Sequence, residues 1–174
     1  AVPARRAQRP PTAHSVCLCS AIDLRLKADP LQSVCHGDAK GANILYAKGD
    51  DGETVAMVYD FQYCGKAAAS KDIAYFLNVD AGHAAEERLL KHYHQELSSR
   101  LTAQGDTPPT FATLQTSVEL ALCDWRRFSE VGLGGWGDGG ANRRVQALLT
   151  KLDGGKMLAS EQDYIEAMER EFPV

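Results

Sequence analysis

Read for its apolar positions, the chain changes rhythm several times. Residues 1–14 show no periodicity, because prolines and arginines interrupt it. Residues 15–30 are ambiguous and compatible with a short helix that ends before Pro30. The run LQSVCHGD, residues 31–38, is short and apolar and breaks at Gly37. NILYA and TVAMVYDF, rich in β-branched and aromatic residues, flank the turn cluster GDDGE and predict a β-hairpin. Helical spacing follows. Leu89, Leu90, Tyr93, Leu97 and Leu101 share one face of residues 83–104, and Gly105 ends that segment. Thr110 can cap a second helix with the stripe Phe111, Leu114, Val118, Leu122 and Trp125. Residues 142–152 predict a third helix. The string SEQD, residues 160–163, reads as a capping box before a last helix carrying Tyr164, Ile165, Met168 and Phe172. A hairpin followed by a run of helices predicts an α+β fold in which helices dominate.

Composition narrows the classes. Of 174 residues, 44% are hydrophobic and 24% charged, enough apolar material for one core. The net charge of −4 and a single short basic run, ARRAQR, argue against a nucleic-acid partner. No apolar run reaches the roughly 20 residues that cross a bilayer, so no membrane partner is expected. Cys17, Cys19, Cys35, Cys64 and Cys123 form no C-x-x-C pair, which disfavours disulfides and zinc and makes a reducing, cytoplasmic compartment the default. Residues 1–22 hold no acidic residue but carry Arg5, Arg6 and Arg9, so the tail of an organellar transit peptide, a linker and a cut end all stay open. We expect residues 1–30 to be a poorly ordered linker or cut remnant and residues 31–174 to form the folded unit.

Two constellations could carry chemistry. In HGDAKGANILY, residues 36–46, Asp38 and Asn43 stand five apart after a His-Gly turn. Phosphoryl transfer needs an orienter or base for the attacking hydroxyl and ligands that hold a metal on the phosphates. An aspartate and an asparagine on one loop can do both, and H-x-D-x-x-x-x-N is the kinase catalytic-loop arrangement. In VYDFQYCG, residues 58–65, Asp60 ends the second hairpin strand. An unpaired charge at the end of a buried strand would be costly, which favours a metal partner. Antiparallel pairing brings Asn43 and Asp60 to the same end of the hairpin, and Gln62 is a further surface amide nearby. The glycine-rich stretch VGLGGWGDGG lacks the phosphate-loop order and follows no strand. It reads instead as an inter-helix turn or, with Trp136 and Trp125, as an apolar wall for an acceptor.

HGDAKGAN followed by YDFQYCGKAAASKDIAYFL resembles the aminoglycoside/choline phosphotransferase superfamily, and the DFQ and DIAYFL strings look most like its ecdysteroid-kinase-like branch. The resemblance is concentrated in residues 34–77. It implies a protein-kinase-like C-terminal lobe with a catalytic β-hairpin packed on a mainly helical bundle. It implies ATP and Mg2+ as cofactors and a hydroxyl of a small molecule as acceptor. Carried over by position, Asp38 is the catalytic base, Asn43 and Asp60 are metal ligands, and Asp72 braces the catalytic loop. His36 is a structural residue bonded to loop backbone. Lys40 departs from the bulky or imidazole residue usual in this superfamily and matches the phosphate-touching lysine of protein Ser/Thr kinases.

A complete kinase also has an N-terminal lobe with a glycine-rich loop and a strand lysine. Neither occurs in the 35 residues before His36, where Lys27 is the one lysine. The expectation is therefore a lobe lacking its ATP clamp. Three arrangements are consistent with that: a fragment of a full enzyme, a non-catalytic kinase-fold binding module, or a second chain that supplies the missing lobe.

Overall fold

The computed structural model describes residues 13–81, 83–125 and 139–173. The elements run α1 (Ala13–Lys27), β1 (Gln32–Cys35), a 3-10 turn (Gly41–Asn43), β2 (Ile44–Lys48), β3 (Thr54–Val58), β4 (Gly65–Ala68) and α2 (Ser70–Phe76). A π turn at Leu77–Ala81 then leads to α3 (His83–Gln104), α4 (Phe111–Cys123), α5 (Gly139–Asp153) and α6 (Glu161–Glu171). The fold is α+β, with helices and two small antiparallel sheets.

The core lies among α1, α4, α5 and α6. Ile22, Leu114, Leu120, Val118, Tyr164 and Met168 are fully buried in it. Residues 13–27 are helix α1, which bears out a short helix ending before Pro30 and corrects the expectation of a poorly ordered linker for these residues, while residues 1–12 lie outside the described residues. Leu18, Ala21, Ile22 and Leu26 repeat at helical spacing and are all buried. Small Ser, Cys and Ala residues dilute that stripe in the sequence. Two polar side chains fasten the end of α1 and the turn after it. Arg25 Nε donates to the Phe172 carbonyl at 2.9 Å, tying α1 to the end of α6. Asp29 is buried and accepts the Leu31 amide at 2.7 Å and the Ser117 hydroxyl at 2.5 Å, tying the following turn to α4.

The later helices begin and end where local chemistry dictates. Gly105, at φ +85, follows α3, and the Asp106 amide returns to the Leu101 carbonyl at 2.9 Å, a six-to-one closure. The Thr110 hydroxyl caps α4 by accepting the Thr113 amide at 3.1 Å. Ser160 and Asp163 form a reciprocal capping box on α6. Of the predicted α3 stripe only Leu90 is fully buried, since few neighbours among the described residues cover this helix.

The two sheets behave differently. In the first, β1 pairs antiparallel with β4, from Gln32↔Ala68 to Cys35↔Gly65, and Cys35 and Ala68 are buried. The strand β4 was not legible, because GKAA contains no strand-forming residue. In the second, β2 pairs with β3 from Ile44↔Val58 to Lys48↔Thr54. The expectation that this hairpin packs on the helical bundle is corrected. All of β3 and four of five β2 residues are exposed, including Tyr46 at 64%. The hairpin is anchored at its root instead, where the Tyr59 amide donates to the Asn43 carbonyl at 3.1 Å. No described helix is long and apolar enough to cross a membrane.

If α1 belongs to the core, Ile22→Ala leaves a cavity. We expect urea unfolding to show a loss of about 2–4 kcal/mol. A loss below about 0.5 kcal/mol, typical of surface changes, would remove α1 from the core.

Candidate active site

The site is built where β1 ends. The chain turns at Gly37, whose φ is +82, and its Cα sits against the Tyr63 backbone. A Cβ there would lie 2.3 Å from the Tyr63 carbonyl oxygen, so only glycine fits. Asp72, in the first turn of α2, holds this loop by its backbone. One carboxylate oxygen accepts the His36 amide at 2.6 Å and the other accepts the Gly37 amide at 2.9 Å. His36 faces inward. Its Nε2 lies 2.8 Å from the Tyr59 carbonyl, which can only accept, so Nε2 carries the proton. Nδ1 then accepts the Asp38 amide at 3.2 Å. Both ring nitrogens are occupied, which suits a structural post rather than a base. The His36 ring also meets the Phe61 ring, with centroids 4.8 Å apart.

Asp38 is 9% exposed and ringed by donors. Lys40 Nζ reaches its Oδ2 at 2.7 Å, and Asn43 Nδ2 reaches the same oxygen at 3.0 Å and the Asp38 carbonyl at 2.9 Å. Tyr75, which lines the same cleft as Asp38, also favours the charged carboxylate. Burial works against the Asp38 charge, but the side chains of Lys40, Asn43 and Tyr75 together outweigh it. They hold the carboxyl below its usual range. The bond to Asp38 correspondingly raises the Lys40 ammonium. Asp38, Lys40 and Asn43 are thus one hydrogen-bonded unit.

Asp60 stands at the hairpin root, one residue past Tyr59, whose amide bonds Asn43. The burial argument for this residue is corrected: the strand before it is solvent-facing and Asp60 is itself exposed. Its distinguishing feature is the backbone, at φ +64, the only positive φ among the described non-glycine residues. That conformation is costly for a residue with a Cβ and recurs where a side chain must be aimed. Gln62 Nε2 makes a long 3.4 Å contact with the Asp60 carboxylate.

Do these residues suit a magnesium ion? Asn43 spends its amide nitrogen on Asp38 and has a side-chain carbonyl oxygen besides, and Asp60 adds a carboxylate. Both are hard oxygen donors of the kind magnesium takes. The described residues contain no group of three or more His, Cys, Asp and Glu placed to hold a metal. A cation here would therefore keep much of its water shell, as magnesium does. The donor set fits.

A cleft of about 630 Å³ opens beside Asp38 and Lys40. Tyr63, Tyr75 and Trp125 contribute rings to it, and Tyr75 packs on Trp125 with centroids 5.3 Å apart. Asn43 and Asp60 do not line it, so the cleft side and the hairpin side of the site are distinct. Lys71 reaches the nearly buried Asp124 at 3.2 Å on the cleft wall. Trp136 and most of the glycine-rich stretch lie outside the described residues. Tyr75, Lys71 and Asp124 escaped the sequence reading. Tyr75 had a usable signal, since it stands three residues after Asp72 and so on the same helix face.

Asp38 is thus held by an ammonium and an amide, and a further carboxylate, that of Asp60, stands at the hairpin root. The chain belongs to the ecdysteroid kinase-like family, whose model matches residues 16–105, from α1 to the end of α3. Membership makes it a kinase-like phosphotransferase at the level of the family. No curated protein and no solved structure matches the chain.

Gly37 and Gly52 both have φ near +80, but nothing lies within 4 Å of a Cβ at Gly52. Gly52→Ala should therefore cost about 1 kcal/mol of stability, the left-handed strain alone. Gly37→Ala should cost at least about 2 kcal/mol more from overpacking. Equal losses in denaturant titrations would mean that the Tyr63 contact does not constrain the loop.

Proposed function

We propose that this chain carries the catalytic lobe of an ATP- and magnesium-dependent phosphotransferase that acts on a hydroxyl of a small molecule. The observation that carries the reading is the Asp38 carboxylate. It is buried, held by the Lys40 and Asn43 side chains, and opens onto a cleft large enough for a small acceptor. In that role Asp38 accepts a hydrogen bond from the acceptor hydroxyl and takes its proton as the phosphoryl group arrives. Lys40, within reach of both Asp38 and the cleft, steadies negative charge on the transferred group. Asn43 and Asp60 would hold magnesium, which when bound neutralises phosphate charge. His36 and Asp72 keep the loop in shape. Trp125 and Tyr75 form an apolar wall for the acceptor, and the family name makes an ecdysteroid the first acceptor to screen.

Glycine-rich and strand-lysine elements that clamp ATP have no counterpart among the described residues. Under this reading the clamp comes from outside them, in a longer form of the protein or a second chain. The same observation favours a second reading, a non-catalytic binding module on the kinase fold. Calorimetry separates the two. The enzyme reading expects ATP to bind in the micromolar range with magnesium and only weakly without it, and Asp60→Ala to abolish the magnesium effect. No binding by the chain alone or with a clamp-bearing partner favours the module.

Where transfer from ATP to an acceptor is observed, Asp38→Ala should lower turnover at least about a hundredfold, as removal of a positioned base does. Turnover within a few-fold of the unsubstituted protein would refute the assignment.

A further inference from the structure

Two ion pairs line the same cleft. One is Lys40–Asp38 at 2.7 Å, which the catalytic reading uses. The other is Lys71–Asp124 at 3.2 Å, to which that reading gives no part. Two elements build the second pair. Lys71 lies on α2 one turn before Tyr75, so the two share a helix face. Asp124 caps the end of α4 and is followed by Trp125. The Tyr75 and Trp125 rings pack with centroids 5.3 Å apart. An ion pair and a ring pair are thus built by the same two helix ends, and all four residues line the cleft.

The Asp124 side chain is 4% exposed and that of Lys71 33%. Taking a carboxylate out of water is costly, and packed apolar groups would join α2 to α4 at least as well. The place of the pair on the lining gives it a use that apolar groups lack, since a few polar groups in an apolar pocket fix a ligand's orientation. Other charges on the lining differ. Asp72 is spent on the loop amides, and Lys66 is exposed on β4. A matched pair also selects. A hydroxyl can donate to Asp124 and accept from Lys71 without parting them. An acceptor ammonium would have to displace Lys71, and an acceptor carboxylate would have to displace Asp124. Either exchange strands a charge.

We propose that Lys71 and Asp124 form a specificity-determining subsite that takes a second hydroxyl of the acceptor and turns away acceptors charged at that point. Its role in acceptor choice rests on the phosphotransferase reading, but the binding preference does not and is measured without ATP.

Four para-substituted benzyl alcohols probe it, each with a ring for the aromatic wall: the hydroxymethyl, methyl, aminomethyl and carboxylate derivatives. In ligand-observed NMR titrations, the unsubstituted chain should bind the hydroxymethyl compound at least about fivefold better than the other three. Lys71→Met combined with Asp124→Leu removes the whole pair and leaves no stranded charge to unfold the protein. That double variant should lose the preference over the methyl compound. Asp124→Asn keeps the ammonium and should bring the carboxylate derivative to the front. If Asp124→Asn does not fold, the double variant decides alone. An unchanged ranking in the variants, or no binding by the unsubstituted chain, would overturn the subsite. In a phosphotransfer assay with an accepted diol, the double variant should raise the acceptor KM about tenfold and leave KM for ATP unchanged. An unmoved acceptor KM would overturn the role in acceptor choice. A changed ranking in a protein with no turnover under any condition would leave the subsite standing and sink the phosphotransferase reading instead.

Discussion

Two neighbouring backbone amides that point the same way need a negative partner, and at the turn after β1 that partner is Asp72. Its two oxygens take the His36 and Gly37 amides at 2.6 and 2.9 Å. Removing it would strand the part-buried His36 amide, at a cost of about 1–3 kcal/mol, and leave the exposed Gly37 amide to water. The constraint reaches further than those bonds. It fixes the path of the chain into Asp38, and it fixes α2 relative to β1. Tyr75 is then placed by the same helix, and His36 is turned so that its ring can bond Tyr59 at the root of the hairpin. One carboxylate thereby sets the geometry between the helical core and the exposed hairpin.

The site that results has two faces. On the cleft face are Asp38, Lys40, Tyr75 and Trp125, backed by the helices that form the core. On the hairpin face are Asn43 and Asp60, held by backbone pairing between Asn43 and Tyr59. Asn43 belongs to both, because its side-chain amide bonds Asp38 while its backbone carbonyl accepts the Tyr59 amide. The hairpin itself gains little from burial. An isolated two-stranded sheet is marginal in water, so its rigidity must come from the root, where Tyr59 also donates its hydroxyl to the Ala42 carbonyl.

How much of this could be read from the sequence depended on how local the signal was. The hairpin, the Gly105 stop, the Thr110 cap and the Ser160–Asp163 box are spelled by residues within a few positions of one another. The loop spacing from Asp38 to Asn43 was legible for the same reason. What escaped was decided at a distance. Helix α1 owes its place to α4 and α6, through Ile22, Arg25 and Asp29, and none of those partners is nearby in sequence. Strand β4 exists because β1 offers it a partner, although Gly65, Lys66 and Ala67 have no intrinsic strand tendency. The exposure of Asp60 was misread because alternating apolar residues suggest a buried face, yet β2 and β3 show their apolar side chains to solvent.

In the role proposed for Asp38, the donors around it decide what kind of base it would be. Lys40, Asn43 and Tyr75 all favour the charged carboxylate, and every one of them makes a proton less welcome there. A strong general base would be better served by a less stabilised carboxylate. Phosphoryl transfer does not demand one. Its transition state is loose, with little bonding to the attacking oxygen in most analyses, so the hydroxyl needs to be aimed more than it needs to be deprotonated early. A weakly basic, well-fixed carboxylate suits that requirement, and under the proposed reading the proton would pass to Asp38 once the new oxygen–phosphorus bond has drained charge from the hydroxyl. The arrangement trades basicity for orientation, which is the trade this chemistry rewards.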